Sequence, residues 1–355
     1  MNKLIFALCF IFLSQYSFGI EDDKETVKEI FNNLVNAYGS PKSAPELIFS
    51  EESMTTPAIY YATPNSRIVV DIGFFDICKS IQGYEKDAMA TVLSHELAHY
   101  FNEHTFCSDF AFAIRVYEAD LKGLFYATSA GYNPFAIYTE LLDKIYSYYN
   151  LNDEVDGYPS KKERKAIHSK AQEKVAQLYV IFEQGIDAGM SGEYDVAIEK
   201  FNTLNRHFPS RENYNNIGVY YTYKALSIYP LTRAAYKNPE RFSYPLEVEK
   251  DSRLVLKPKT RSNGLQPQEI IKEALLNAQK AFEKAIALDP KYYNSYINLA
   301  CVYDLFDNPE AALGKIKELP EQFQNKNRSK KIKAIAYYHM DFNEKAEELW
   351  EEVGL

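Results

Sequence analysis

Basic charge, tryptophan, histidine and long apolar runs are all scarce in this sequence, and the scarcities narrow what it can be. Forty Lys and Arg stand against 49 Asp and Glu, for a formal net charge of −9. No basic stripe offsets that excess, which argues against a nucleic-acid partner. After the first twenty residues no segment is apolar enough to cross a bilayer, so membrane association is expected to be at most peripheral. There is one Trp, while Tyr at 29 and Phe at 22 supply aromatic surface suited to helix packing. Histidine occurs only six times in 355 residues, which gives weight to any pair at a chemically meaningful spacing. The remaining composition, 46% hydrophobic and 25% charged, is that of a soluble globular protein long enough for two domains.

The first residues read as a leader. Met1-Asn-Lys3 is a short basic start, Leu4 to Leu13 is almost unbroken apolar sequence, and Ser17-Phe-Gly19 offers small residues for a signal peptidase. Cleavage is expected after about Gly19, giving a periplasmic or secreted chain; an uncleaved anchor is the alternative. No Cys stands at the cleavage point, so there is no lipoprotein signal. Export would permit a disulfide between Cys78 and Cys107, which flank the central motif; separate buried thiols are the other reading. Cys301 is expected to be core.

That central motif is His95-Glu-Leu-Ala-His99, within a run from Asp87 to His104 that lacks Gly and Pro. Met89, Val92, Leu93, Leu97 and Phe101 recur at helical spacing. Residues i and i+4 share a helix face, so the imidazoles of His95 and His99 can reach one metal ion. Glu96 stands where a zinc peptidase carries its general base. Before this helix the sequence predicts another over 23–38, then strands at Pro57–Ala62 and Arg67–Phe75. A strand beside the metal helix offers an edge to an extended substrate. After it, a helix is expected over 113–130, where Glu118 is a candidate third ligand that would leave a fourth position open.

These residues carry a resemblance. His95-Glu-Leu-Ala-His-Tyr-Phe-Asn-Glu-His104, then Glu118-Ala-Asp120, Ala130-Gly-Tyr-Asn-Pro134 and Tyr158-Pro-Ser-Lys-Lys-Glu-Arg164 fall in the order seen in the HtpX and CAAX prenyl protease family of zinc metallopeptidases. The most similar branch is the exported, soluble one that joins such a domain to tetratricopeptide repeats, like the β-barrel assembly-enhancing protease. The resemblance implies one Zn2+ per chain, held by His95, His99 and a carboxylate. It also implies that Asp120 orients a ligand His and that Arg164 is structural. Two positions depart from the pattern. The usual metal-binding Glu is replaced by Val116, so either the helix shifts to let Glu118 bind or the third ligand is missing. Glu118 lies about 200° around an ideal helix from Asp120. The usual His before the Pro is Tyr158, which can serve as an oxyanion donor or be a plain turn residue. His104, five residues past His99, would face away and cap the helix. His168, His207 and His339 read as surface residues.

From residue 171 helix pairs take over. Phe182 to Phe201 resembles one tetratricopeptide repeat, with Gly185, Ala188 and Ala197 allowing close contact and Tyr194 and Phe201 filling the seam. Ala278 to Pro290, Asn294 to Ile316 and Ala334 to Glu352 supply further helices. An inserted loop or small hairpin is expected near 230–264, too long for an inter-repeat turn. The expected architecture is an α+β zincin-like peptidase domain at 20–170, mostly helical with a small sheet, followed by an all-α repeat solenoid at 171–355. The expected function is an exported zinc metalloendopeptidase acting on protein or peptide substrates, its repeats recruiting substrate or a protein partner. The alternative is a catalytically impaired relative that works as a partner-binding scaffold or chaperone.

Overall fold

A computed structural model describes residues 21–39, 42–104, 110–151, 159–230, 232–250 and 267–355. The chain divides into two units, one of residues 21–38 and 42–175, the other of residue 39 and 176–355. The expected leader, Cys107 and Tyr158 lie outside the described residues.

The first unit opens with α1 (residues 21–38), whose Val27, Ile30, Phe31 and Leu34 form the buried stripe that its periodicity predicts. Three short strands follow: β1 (Glu46–Ser50), β2 (Ala58–Tyr61) and β3 (Arg67–Asp71). They form one sheet in the order β1-β3-β2, with β1 parallel and β2 antiparallel to β3. Ile68 and Val70 of the central strand are fully buried. β3 is shorter than the sequence suggests. The Gly73 N–H bonds Asp71 Oδ1 at 3.0 Å, turning the chain into α2 (Phe74–Lys79). Phe74 and Phe75 are therefore buried from a helix rather than from a strand.

Helix α3 (Glu85–Phe101) runs through the core, flanked by α4 (Phe110–Ser129) and α5 (Pro134–Tyr148). Ala88, Leu93, Leu97 and Ala98 are fully enclosed, and the Tyr38 hydroxyl of α1 donates to the Ser94 carbonyl at 2.9 Å. Cys78 is a buried free thiol, and its expected disulfide partner Cys107 lies outside the described residues.

Helix α6 (Lys161–Met190) contributes its residues through Val175 to the first unit and the remainder to the second. The second unit continues with α7 (Tyr194–Asn205), α8 (Arg211–Leu226), the short α9 (Arg233–Lys237) and α10 (Pro239–Phe242), and α11 (Pro267–Leu288). Then come α12 (Tyr293–Leu305), α13 (Pro309–Lys317), α14 (Glu321–Gln324), α15 (Asn327–His339) and α16 (Asn343–Glu352). The seam expected around Gly185 is present: a Cβ there would lie 2.7 Å from the Phe201 ring, so only glycine permits this approach of α6 to α7. Phe282 and Trp350 anchor two neighbouring hydrophobic clusters, and Cys301 is fully buried. The fold is thus an α+β unit, mostly helical with a three-stranded sheet, followed by an all-helical repeat unit. Among the described residues no helix is long and apolar enough to cross a membrane.

Candidate active site

Helical periodicity sets the first distance. On α3 the Nε2 atoms of His95 and His99 lie 3.1 Å apart, as expected for side chains one turn apart on one face. What holds each ring comes from elsewhere. His95 Nδ1 lies 2.8 Å from Asp120 Oδ1, on α4. Arg164, on α6, donates through Nε to Asp120 Oδ2 at 2.9 Å and through Nη2 to Oδ1 at 2.6 Å. Asp120 is 2% exposed, and burial alone would favour its neutral acid. The Arg164 guanidinium and the His95 ring outweigh that burial and hold its carboxyl well below the usual range. A carboxylate this close to Nδ1 favours the tautomer with its proton on that atom, the one whose Nε2 can bind a metal.

The close approach that permits this is set at Gly123. A Cβ there would stand 3.0 Å from the His95 backbone N and 3.1 Å from its Cα, so a larger residue would push α4 away from α3. Asp120 lies one turn earlier on α4.

His99 is oriented from the other side. Its Nδ1 meets His104 Nδ1 at 3.0 Å, and His104 Nε2 lies 3.4 Å from Glu118 Oε2. Glu118 also pairs with Lys122 at 2.5 Å. Burial is the largest influence on Glu118 and raises its carboxyl, but Lys122 and His104 together lower it below the ordinary value. With that carboxylate as acceptor, the His104 proton sits on Nε2, its Nδ1 accepts, and His99 donates from Nδ1. His99 Nε2 is then a lone pair facing that of His95. Burial, reinforced by the neighbouring imidazoles of His95 and His104, depresses His99 to about 2, so it is neutral at physiological pH.

Two expectations are corrected here. His104 does not face away from the pair. The helix ends at Phe101, Glu103 adopts a left-handed conformation (φ 56°), and the chain reverses so that His104 N–H caps the His99 carbonyl while its ring returns to the ring of His99. Glu118 is not brought to the two Nε2 atoms; it spans His104 and Lys122, half-exposed on its own helix face. Val116, at the position where the resemblance expects a carboxylate, is 1% exposed. Among the described residues no third His, Cys, Asp or Glu joins the pair.

Glu96 follows His95 and points toward the sheet. Its Oε2 accepts the Tyr60 backbone N–H at 2.8 Å. Among the described residues β2 pairs only with β3, so this N–H lies on the strand's outer edge. Burial raises the Glu96 carboxyl above its ordinary value, with His95 and the Tyr60 amide opposing.

The remaining histidines divide. His207 is exposed, as expected. His339 is exposed too, with Nδ1 3.0 Å from Asp304 Oδ2, whereas His168 is half-buried and stacks on Tyr138 with Nε2 3.1 Å from the Phe135 carbonyl.

Whether zinc suits these donors follows from their geometry. Two nitrogens bound tetrahedrally at about 2.0–2.1 Å stand roughly 3.3–3.4 Å apart, close to the 3.1 Å found. Two facing lone pairs repel unless a cation lies between them. The imidazole pair fits zinc, with a third protein donor not supplied by Glu118. A search of curated proteins returns no match. Residues 281–314 match the tetratricopeptide repeat model, and residues 21–166 match that of peptidase family M48. The chain is thus similar to peptidase family M48 over residues 21–166 and to a tetratricopeptide repeat over residues 281–314.

Proposed function

We propose that the protein is an exported zinc metalloendopeptidase of the soluble, repeat-bearing branch, acting on envelope or misfolded proteins. The observation that carries this reading is the facing Nε2 pair of His95 and His99, with Glu96 adjacent and buried. His95 and His99 would hold the ion, oriented by Asp120 with Arg164 and by His104 with Glu118. Bound zinc supplies Lewis acidity toward the scissile carbonyl and the attacking water.

The chain's own residues do the rest. The Tyr60 N–H fixes Glu96 Oε2, which leaves Oε1 to accept a proton from water and return it to the leaving amine. Burial brings the Glu96 carboxyl nearer the range in which it both takes and gives a proton at neutral pH. The outer edge of β2 suits an extended substrate laid beside it. Tyr158 is the candidate donor to the developing oxyanion. A leader cleaved after about Gly19 would deliver the enzyme to the periplasm or outside the cell.

The test is proteolysis of an unfolded protein substrate beside zinc content. Glu96→Gln should retain one zinc per chain and lose about 10²–10⁴-fold in turnover; unchanged turnover sinks the assignment. Glu118→Ala should keep its zinc, because Glu118 acts through His104; loss of the metal would make it a direct ligand.

A second reading, a non-catalytic partner-binding protein, is favoured by Val116 and by the pairing of Glu118 away from the imidazoles. Substoichiometric zinc in the purified parent chain would support it.

A further inference from the structure

The inserted stretch after α10 does not hang free. Residues 243–250 read Ser-Tyr-Pro-Leu-Glu-Val-Glu-Lys, with apolar side chains at 244, 246 and 248 alternating with carboxylates at 247 and 249. Tyr244, Leu246 and Val248 pack against the hydrophobic clusters of the repeat unit. The backbone is gripped by side chains. Asn298, on α12, accepts Glu247 N–H at 3.0 Å and donates to Glu247 O at 3.0 Å. Asn216, on α8, does the same for Glu249, at 2.8 and 2.9 Å. Asn215 donates a further bond to Glu247 O, and Arg328, on α15, donates twice to the Pro245 carbonyl. Residues 247 and 249 thus turn both backbone groups to one side, as the edge of an extended strand does. Three helices take the place of the neighbouring strand.

These amides are an unusual investment for helix interiors. Asn215, Asn216 and Asn298 are fully buried, and a buried amide without partners is costly. Among the described residues, Glu249 meets both the acceptor and the donor side of the Asn216 amide. Such groups read backbone and so accept any chain in this conformation; selectivity is left to the side-chain positions. There Tyr244 reaches Asp304 at 2.7 Å, Glu247 pairs with Arg328, and Glu249 accepts from Tyr292 at 3.1 Å.

We propose that the face made by α8, α12 and α15 is a binding site for an extended segment of another protein, with an aromatic residue followed by alternating aliphatic and acidic residues, and that residues 244–249 occupy it in cis. A partner enters only by displacing them. Tethering gives the resident segment an effective concentration on the order of mM, so it masks the site against all but strong or abundant ligands. The inference does not depend on the metal chemistry, because its readout is binding.

The probe is a fluorescein-labelled octapeptide of residues 243–250, titrated by anisotropy into the full-length chain. In a variant whose own segment is weakened by Leu246→Ser and Val248→Ser, the peptide should bind at least tenfold more tightly than to the parent, and Asn216→Leu added to that variant should abolish the gain. A second measurement serves if these variants fold poorly. In the parent chain, excess unlabelled peptide should accelerate hydrogen exchange at the Glu247 and Glu249 amides. Equal binding by parent and weakened variant, no binding by either, or unchanged exchange at saturating peptide would overturn the proposal.

Discussion

Replacing Asp120 with Asn keeps the side chain's shape and removes its charge, and two effects of different size follow. The first is on stability. Asp120 is 2% exposed and the Arg164 side chain 13%, so the substitution leaves a guanidinium enclosed without its counter-charge. Breaking such a buried pair from one side costs about 3–5 kcal/mol, against a total stability of roughly 5–15 kcal/mol for a domain. The unit should remain folded in water but unfold at markedly lower urea. The second effect is on metal. Losing the group that sets the His95 proton on Nδ1 should weaken zinc binding about 10–100-fold, or about 1.4–2.8 kcal/mol. Stability loss therefore dominates, and zinc measurements on the single variant must be made well below its melting temperature. The double variant Asp120→Asn with Arg164→Met separates the two. Removing both charges should restore most of the stability but none of the zinc affinity. Urea melts and zinc competition against a chromophoric chelator read the two effects. Zinc affinity unchanged within twofold in Asp120→Asn, or recovered in the double variant, would refute the orienting role.

Gly123→Ala should destabilise the peptidase-like unit by about 1–3 kcal/mol, because the new methyl meets the backbone of His95 rather than a flexible side chain; a melt indistinguishable from the parent would show that α4 shifts freely. In the repeat unit, the bond from Asp304 is the largest influence on His339 and raises its pKa above 6.5, with burial opposing. A group raised on folding contributes fully below its unfolded value and loses that contribution as pH climbs through the folded value. Urea stability of the repeats should therefore fall as pH rises above 6.5, and His339→Ala should flatten that dependence; a parent whose stability is constant across this range would count against the pairing.

The parts of the site legible in sequence are those fixed by a single helix. His95, Glu96 and His99 need only the 3.6-residue period to fall where they do. Asp120 and Arg164 were reachable only through resemblance, since no local pattern tells that two later helices will meet one ring. His104 departs from its expected direction for a definite reason. Ideal helical geometry does not continue past Phe101, because a left-handed residue at Glu103 ends the helix and reverses the chain. Glu118 is proposed as a ligand from its place on the next helix alone, and that place does not reveal that His104 and Lys122 pair with it. In the fold, β1 escaped notice because Glu46–Ser50 is short and carries no strong alternation; its pairing with β3 is what makes it a strand. Residues 243–250 read as an insertion because Asn216 and Asn298 lie 33 and 51 residues from the residues they bond, Glu249 and Glu247, and look like ordinary polar helix positions.

The donor that positions Glu96 is a main-chain amide, and that sets what genetics can see. Side-chain substitution at Tyr60 leaves its N–H in place, so an alanine scan of β2 would score the position by its packing and pass over its part in placing the carboxylate. Only a change that deletes the proton itself, a proline or a backbone ester at residue 60, exposes it. Proline would also bend the strand; the ester would not. A mutational map of this protein would therefore register Glu96 itself and pass over the main-chain amide that anchors it.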